Sequence, residues 1–440
     1  MISYRPVSLI PIFSKVIEKV IYNALYWYLE SNKILVEEQM GFRKNKSTNM
    51  AIFKFLTQVM TNVDSRLKVS ALYLDMTKAF DYVDHDILMR RLYDYGIRGN
   101  ILNLIRSYVT NRKQITAIDR ICNKSKIVTK YLSSARELYC GVPHGSIMGP
   151  LLFLVYINDM RKIVNHPMIL FADDCSIIFI DDNANTYETE INKTLNDIIR
   201  WLNCNNLSLN LEKSKIMTFS AGRKISDKLN INHAGKTIDE INITKFLGLY
   251  IDCNLTWKHH IEYLCTKLNK FAYALNMLYK VANHNVLITA YHAYVTSILR
   301  YGIIFWGNSV RKESVFICQK GCIRAICGLR KIDSCRPYFK KFRILTLTCL
   351  YIYEIVLFVK LNLNLYEILD SNHNGVVIKI PRNRSTLLNH SFYVMGPRAF
   401  NKLPKYIRQC DDLKIFKHKL IDFLLDKTYY TFTEYTDDKY

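Results

Sequence analysis

"MILFADDCSIIFI", residues 168–180, sets two adjacent carboxylates, Asp173 and Asp174, inside an otherwise apolar run. The apolar flanks read as two strands of a hairpin with the acidic pair at its bend. An apolar strand gains by burial, whereas an unpaired carboxylate removed from water is costly. An isolated Asp-Asp at a bend usually means only a turn, because Asp tolerates turn geometry. A third carboxylate changes the reading. Asp75 closes the apolar strand "ALYLD", with Phe80 and Asp81 five and six residues later. Two strands ending side by side would bring Asp75 against Asp173 and Asp174, although 98 residues separate positions 75 and 173. Three clustered carboxylates repel one another unless cations neutralise them. Oxygen-only ligands favour Mg²⁺, with Mn²⁺ as a substitute. Two such ions about 3.5–4 Å apart can activate an attacking hydroxyl and stabilise the leaving oxygen of an in-line phosphoryl displacement.

Composition agrees with a phosphate-bearing partner. The chain has 440 residues, enough for two or three domains, and half are hydrophobic, which excludes a disordered tail. Its 61 Lys and Arg outnumber 38 Asp and Glu, a formal charge of +23 that favours a polyanion such as nucleic acid. The twelve cysteines lack the regular spacing of a secreted disulfide framework. The start, "MISYRPVSLIPIF", has no cationic segment leading into a signal-peptide core. The best membrane candidate, 344–359, is shorter than the roughly 18–20 apolar residues a span needs and contains Glu354, so it reads as a core helix. No membrane partner and a reducing, intracellular setting are expected.

Along the chain, Phe13, Val16, Ile17, Val20, Ile21, Ala24 and Tyr28 recur at helical spacing. "KVSALYLD" reads as a strand, 86–95 and 100–110 as helices, and 114–140 as strands with a basic loop. "GVPHGSIMGPLLFLVYIND" looks like a Gly/Pro-rich turn opening an apolar helix. Tyr187, Ile191, Leu195, Ile198 and Leu202 share a helix face, and "SKIMTFS" and "KFLGLYID" are strands. From Ile261 to Leu278 spacings of three and four mark a helix packing one narrow seam. Beyond 284 helices dominate. Interleaved elements followed by helices predict an α+β domain and then an α-rich one.

"LYLDMTKAFDYVDH", "GVPHGSIMGPLLF", "LFADD", "LSLNLEKSKIMTF" and "KFLGLYID" occur in the order of the palm motifs of reverse transcriptases. In detail they resemble non-LTR retrotransposon polymerases of the jockey-like type. "YRPVSLIPIFSKVIEKVI" and "EEQMGFRKNKST" resemble that family's finger motifs, and "YGIIFWG" and "PRAFNKLP" segments of its C-terminal region. The resemblance implies a right-hand polymerase: an antiparallel sheet with packed helices as palm and fingers, an α-helical thumb, and an α-rich basic C-terminal region. It divides the chain into partial fingers (1–68), palm with remaining finger elements and primer-grip strands (69–256), thumb (257–310) and a basic nucleic-acid-binding region (311–440).

By that similarity Asp75, Asp173 and Asp174 hold two Mg²⁺ ions, and Lys213 gives a proton to departing pyrophosphate, although Lys215 is easily confused with it. Phe80 lies beneath the sugar of the incoming nucleotide and selects dNTP over rNTP by collision with a 2′-hydroxyl. Arg43 contacts the triphosphate as a fork-shaped donor. Gly141, Pro143, His144 and Gly145 line the nucleotide, although the family normally has Gln where this chain has His144, and imidazole cannot copy an amide's paired donor and acceptor. Phe246, Leu247 and Gly248 form the primer grip. The implied activity is RNA-directed DNA synthesis, with RNA template, DNA primer or target and dNTPs as partners, in cytoplasm and nucleus. The alternative is a catalytically inactive descendant that binds nucleic acid, which His144 and a start inside the fingers favour.

In the last third, residues 311–410 carry 18 Lys or Arg against five Asp or Glu. Such a patch suits phosphate contacts that do not read sequence. Cys318, Cys322, Cys327 and Cys335 invite a zinc reading, but "ICQKGCIRAICGLR" reads as a basic amphipathic helix without a close CxxC pair, so zinc is not expected. His259 and His260 are expected to be solvated or capping, and the mildly acidic last thirty residues to cap or fray. Residues 119–135 fit the family less well than their flanks and read as a loop insertion.

Overall fold

The computed structural model describes residues 7–121, 128–181, 184–220, 222, 229–370 and 376–438. The chain forms two compact units: Met1–Phe55, Lys68–Thr218 and Ile225–Ile241, and then Leu56–Leu67, Phe219–Lys224 and Asn242–Tyr440. Compactness thus groups the expected primer-grip strands with the helices that follow.

The first unit interleaves α1 (Ile12–Ser31), the start of α2 (Thr48–Asp64), β1 (Lys68–Asp75), α3 (His85–Asp94), α4 (Gly99–Val109) and the short strands β2 (Arg112–Gln114), β3 (Ala117–Ile121), β4 (Val128–Leu132) and β5 (Arg136–Leu138). It continues with α5 (Met148–Ile157), β6 (Met168–Phe171), β7 (Asp174–Asp181), α6 (Ala184–Cys204), β8 (Lys215–Phe219), β9 (Asn232–His233), β10 (Lys236–Thr237) and β11 (Asp239–Glu240). A five-stranded sheet runs in the order β11-β8-β1-β7-β6, with β1 and β7 antiparallel and β6 and β7 joined as a hairpin. In β1 and β7 the apolar run is buried on both faces, which requires cover on each side. α5 is apolar all round, and nine of its ten residues are buried. α6 buries the predicted stripe Tyr187, Ile191, Leu195, Ile198 and Leu202. β3 and β4 pair, so the segment read as an insertion is an antiparallel ribbon; its basic loop at 122–127 lies outside the described residues.

α1 forms where its periodicity predicts, but its first half does not bury that stripe: Phe13, Val16, Ile17 and Val20 are exposed. The side chains it buries are Glu18, Leu25, Tyr26 and Leu29.

The second unit opens with the hairpin β12 (Ile243–Phe246) and β13 (Leu249–Asp252), followed by α7 (Lys258–Tyr279), α8 (His284–Ala290), a π-helical turn at Tyr291–Thr296, α9 (Ser297–Arg300), α10 (Ile303–Trp306), α11 (Lys312–Cys327) and α12 (Arg336–Lys341). α13 (Leu347–Leu361) is the apolar segment that was too short for a span, and it is buried nearly all round. Two short strands, β14 (Ile368–Asp370) and β15 (Val377–Ile378), precede α14 (Thr386–Asn389), α15 (Phe392–Asn401), α16 (Lys405–Arg408), α17 (Leu413–Lys427) and α18 (Phe432–Asp437). Among the described residues no helix is long and apolar enough to cross a membrane. Residues 411–438 pack rather than fray: Leu420, Leu424 and Tyr435 are buried, and the Tyr435 hydroxyl donates to the Ala399 carbonyl at 2.7 Å.

Candidate active site

The register of β1 against β7 sets Asp75 directly opposite Asp174. Such cross-strand partners share one face of a sheet, with Cα atoms roughly 4.5–5.5 Å apart. Phe171 pairs with Asp174 across the β6–β7 hairpin, which leaves Ala172 and Asp173 as the bend. The backbone therefore brings all three acidic positions to one strand end. Among the described residues no three His, Cys, Asp or Glu side chains form a ready-made metal cage. Ala172 takes a positive φ of 57°, a left-handed conformation that costs a residue with a Cβ about 1–2 kcal/mol.

Gln39 holds that bend in place, a residue the sequence did not mark. Its buried amide Oε1 accepts the N–H of Ala172 at 3.1 Å and of Gly41 at 2.9 Å. Residues 38–40 run beside β6: Met40 N–H donates to Leu170 C=O at 2.7 Å and Leu170 N–H to Glu38 C=O at 3.0 Å. A Cβ on Gly41 would lie 2.5 Å from the Ala172 nitrogen, so only glycine permits this approach.

Lys213 reaches the same corner, with Nζ 3.9 Å from Asp75 Oδ2. The loop that carries it is tied to the end of β1. Asn210 N–H donates to Asp75 C=O at 2.8 Å, and Asp75 N–H to Ser214 Oγ at 3.3 Å. Lys213 is exposed, and an ion pair in water is weak, so its ammonium can turn to another anion. Lys215 bonds Asp239 at 2.8 Å, which separates the two lysines.

Beside Asp173 opens a cleft of about 480 Å³, lined by Phe42, Phe80, Asp81, Pro143, His144 and Gly145 among others. Phe80 is half-buried, stacked on Phe153 with centroids 4.3 Å apart, and Phe42 meets it edge-on at 6.4 Å. Val142 N–H donates to Phe80 C=O at 2.9 Å, and Gly141 N–H to Val83 C=O at 2.8 Å. Gly141 has φ 89°, and a Cβ there would lie 2.7 Å from Asp81 O. The turn Pro143–Gly145 is thereby clamped against the Phe80 loop. His144 Nε2 sits 3.1 Å from Asp81 Oδ1, and its ring lies 5.2 Å from that of Phe80. In the neutral imidazole this bond places the proton on Nε2 and leaves Nδ1 as an acceptor. The buried Glu18 caps the start of α5, its carboxylate accepting from Ile147 N–H at 2.6 Å and Met148 N–H at 3.3 Å. An anion suits that helix end.

Arg43 does other work than the triphosphate contact expected of it. Its buried guanidinium grips Glu30 bidentately at 2.8 and 2.7 Å and donates to Val36 C=O at 2.6 Å. The hydrogen bond from Arg43 holds the Glu30 carboxyl below its ordinary range. The pair anchors the turn after α1.

In the second unit, Leu247 and Gly248 form the bend between β12 and β13, with φ of 42° and 88°, next to the buried Phe246. The Tyr301 hydroxyl donates to Leu247 C=O, and its ring would lie 3.0 Å from a Cβ on Gly248. His260 corrects the solvated reading: it is buried, it accepts the Tyr250 N–H at 3.4 Å through Nδ1, and burial lowers its pKa to about 4. His259 lies 3.6 Å from Glu262. Cys322 and Cys335 donate to the carbonyls of Leu268 and Lys320.

Residues 1–268 match the family described as reverse transcriptase (RNA-dependent DNA polymerase). The chain is 27% identical over 317 residues to the "Probable RNA-directed DNA polymerase from transposon X-element" of Drosophila melanogaster, covering 69% of this chain and 33% of that one. It is 26% identical to the polymerase of transposon BS and 23% to that of mobile element jockey from the same fly, each alignment covering 74% of this chain and 36% of the relative. The chain thus spans about a third of the length of the curated relatives it matches. Among solved structures, telomerase from Candida tropicalis with a TWJ fragment of telomeric RNA is 14% identical, with a TM-score of 0.40 over 94% of this chain and 56% of that one. Telomerase from Candida albicans is 12% identical, with a TM-score of 0.37 over 78% and 52%.

Proposed function

The chain belongs to the reverse transcriptase family, and from that premise we propose that it extends a primer 3′-hydroxyl with dNTPs on an RNA template, as a polymerase of a jockey-like non-LTR retrotransposon. The observation that carries this reading is the β1–β7 register, with Asp75 opposite Asp174 and Asp173 at the adjoining bend. The donor set is oxygen-only and acidic, which fits hard divalent cations. Asp75 and Asp173 would hold two Mg²⁺ ions, with Asp174 adding charge. Bound there, the ions would neutralise phosphate and acidify the primer hydroxyl.

The chain's own residues do the rest. Phe80, fixed between Phe153 and the 143–145 turn, presents a ring edge where a ribose 2′-hydroxyl would collide. Lys213 donates a proton to the leaving pyrophosphate from the flank of Asp75. The Leu247–Gly248 bend, clasped by Tyr301, steadies the primer end. Arg43 has no part in this scheme, because its fork is engaged by Glu30.

Primer extension on an RNA template, with Asp173→Asn alongside, tests the proposal. Mg²⁺-dependent DNA synthesis in the wild type and its loss in the variant are expected; equal synthesis in both contradicts it. A second reading, a nucleic-acid-binding protein without catalysis, takes its support from His144. No synthesis by the wild type with RNA binding retained establishes that reading instead.

A further inference from the structure

The second unit contains a cavity of about 490 Å³ that none of the proposed chemistry uses. Its volume lies in the range of small-molecule sites, about 300–1,000 Å³. Met60, Leu255, Trp257, Phe305 and Phe392 give it an apolar and aromatic floor, and Arg311 stands at its wall.

The walls are held by specific bonds. The buried Asp252 carboxylate accepts the N–H groups of Asn254, Thr256 and Trp257 at 3.2, 3.0 and 2.9 Å. These bonds hold Leu255 and Trp257 at φ of 55° and 63°. Non-glycine residues kept in that region cost about 1–3 kcal/mol each and cluster at ligand clamps. The chain just before the lining residues Thr386 and Leu387 is tied by Asp64, which accepts from Ser385 N–H at 2.7 Å and Arg384 N–H at 3.1 Å. On the cavity lining, Ser309 Oγ is shielded from water and has no hydrogen-bond partner among the described residues. A hydroxyl in that state is met by an ordered water or, once rotated toward the cavity, by a ligand.

We propose that this cavity accepts one unstacked base of single-stranded RNA. The aromatic and apolar lining suits a heterocycle. Ser309 can donate to or accept from its edge, and the Arg311 guanidinium at the wall suits an adjoining phosphate. An acyl chain would leave Ser309 unsatisfied, and an acidic peptide would ask for several cations where the lining carries one arginine. The surplus of 18 Lys and Arg over five acids across 311–410 favours a polyanion on this unit. The choice of RNA rests on the polymerase reading above.

The test uses the full chain and a single-stranded RNA 15-mer containing 4-thiouridine, with photo-cross-links mapped by mass spectrometry and affinity measured in parallel. Cross-links in peptides carrying Trp257, Phe305 or Phe392 are expected. Leu387→Trp, which fills the cavity, should weaken binding at least tenfold while the circular dichroism spectrum is unchanged. Arg311→Gln, on the surface, should weaken it several-fold and lower its salt dependence. Cross-links confined to other peptides, or unaltered affinity in both variants, overturn the proposal, and equal affinity for the matching DNA overturns the RNA assignment. Primer extension is read on the same preparation. Extension without cavity cross-links sinks this inference alone, whereas cavity cross-links without extension sink only the polymerase reading.

Discussion

Gln39 illustrates how one buried amide can govern catalysis without touching substrate. Its Oε1 holds the N–H of Ala172, the strained residue just before Asp173. Gln39→Ala should lower kcat at least tenfold with little change in KM for dNTP, and cost about 1–3 kcal/mol of stability for the orphaned N–H groups. Steady-state extension kinetics beside urea unfolding check both; an unchanged kcat contradicts the assignment. Phe80→Ala should let rNTP compete, lowering the dNTP preference at least tenfold, as single-nucleotide incorporation would show; an unaltered preference removes Phe80 from the sugar site. The meeting of Asp75, Asp173 and Asp174 at one strand end was legible because charge in apolar strands contradicts burial. Arg43 was misjudged because its partner Glu30 stands on the preceding helix, thirteen residues upstream, and no periodicity reveals that pairing. Gln39 gave no signal, because a polar residue in a polar loop looks like any other.

At the scale of elements, the sequence located the main strands and most helices of the first unit, since amphipathic period and turn residues agreed locally, but α2 and the short strands β9–β11 went unread. It did less well on which face is buried. The stripe on α1 that predicts a helix leaves Phe13 and Val20 in solvent, while Glu18 is buried as the cap of α5. Burial depends on what packs against a helix, and that neighbour was 129 residues away. His260 in α7 is the second case. Burial lowers its folded pKa to about 4, below the ordinary 6.5. A depressed pKa means the unfolded chain binds the proton first, so this stabilisation is complete above pH 6.5 and declines as pH falls toward 4. The shift corresponds to roughly 3 kcal/mol at about 1.36 kcal/mol per unit. His260→Gln should flatten the dependence of the urea midpoint on pH between 7 and 4.5; a slope equal to wild type contradicts the assignment.

For the whole molecule, the +23 charge does not lie uniformly open to a polyanion. Arg336, Lys340 and Arg343 face Glu434, Asp426 and Asp422 at 3.2, 2.7 and 2.6 Å, so part of the basic segment is matched by acids of the C-terminal helices. Lys331 and Lys341 are exposed. Lys331→Ala or Lys341→Ala should therefore reduce the slope of log Kd for single-stranded RNA against log salt by about 0.7, one phosphate contact, whereas Lys340→Ala should barely change it. Salt titrations that rank the three in reverse would show the acids to be displaced on binding. The central claim is more local: two neighbouring strand ends supply the carboxylates for divalent ions. Electron paramagnetic resonance titration of Mn²⁺, with primed RNA template and dNTP present, tests it most directly. Two ions per chain in the wild type, and their loss in the Asp75→Asn, Asp173→Asn double variant with the fold intact, are predicted. Mn²⁺ binding of undiminished stoichiometry in that variant would contradict it.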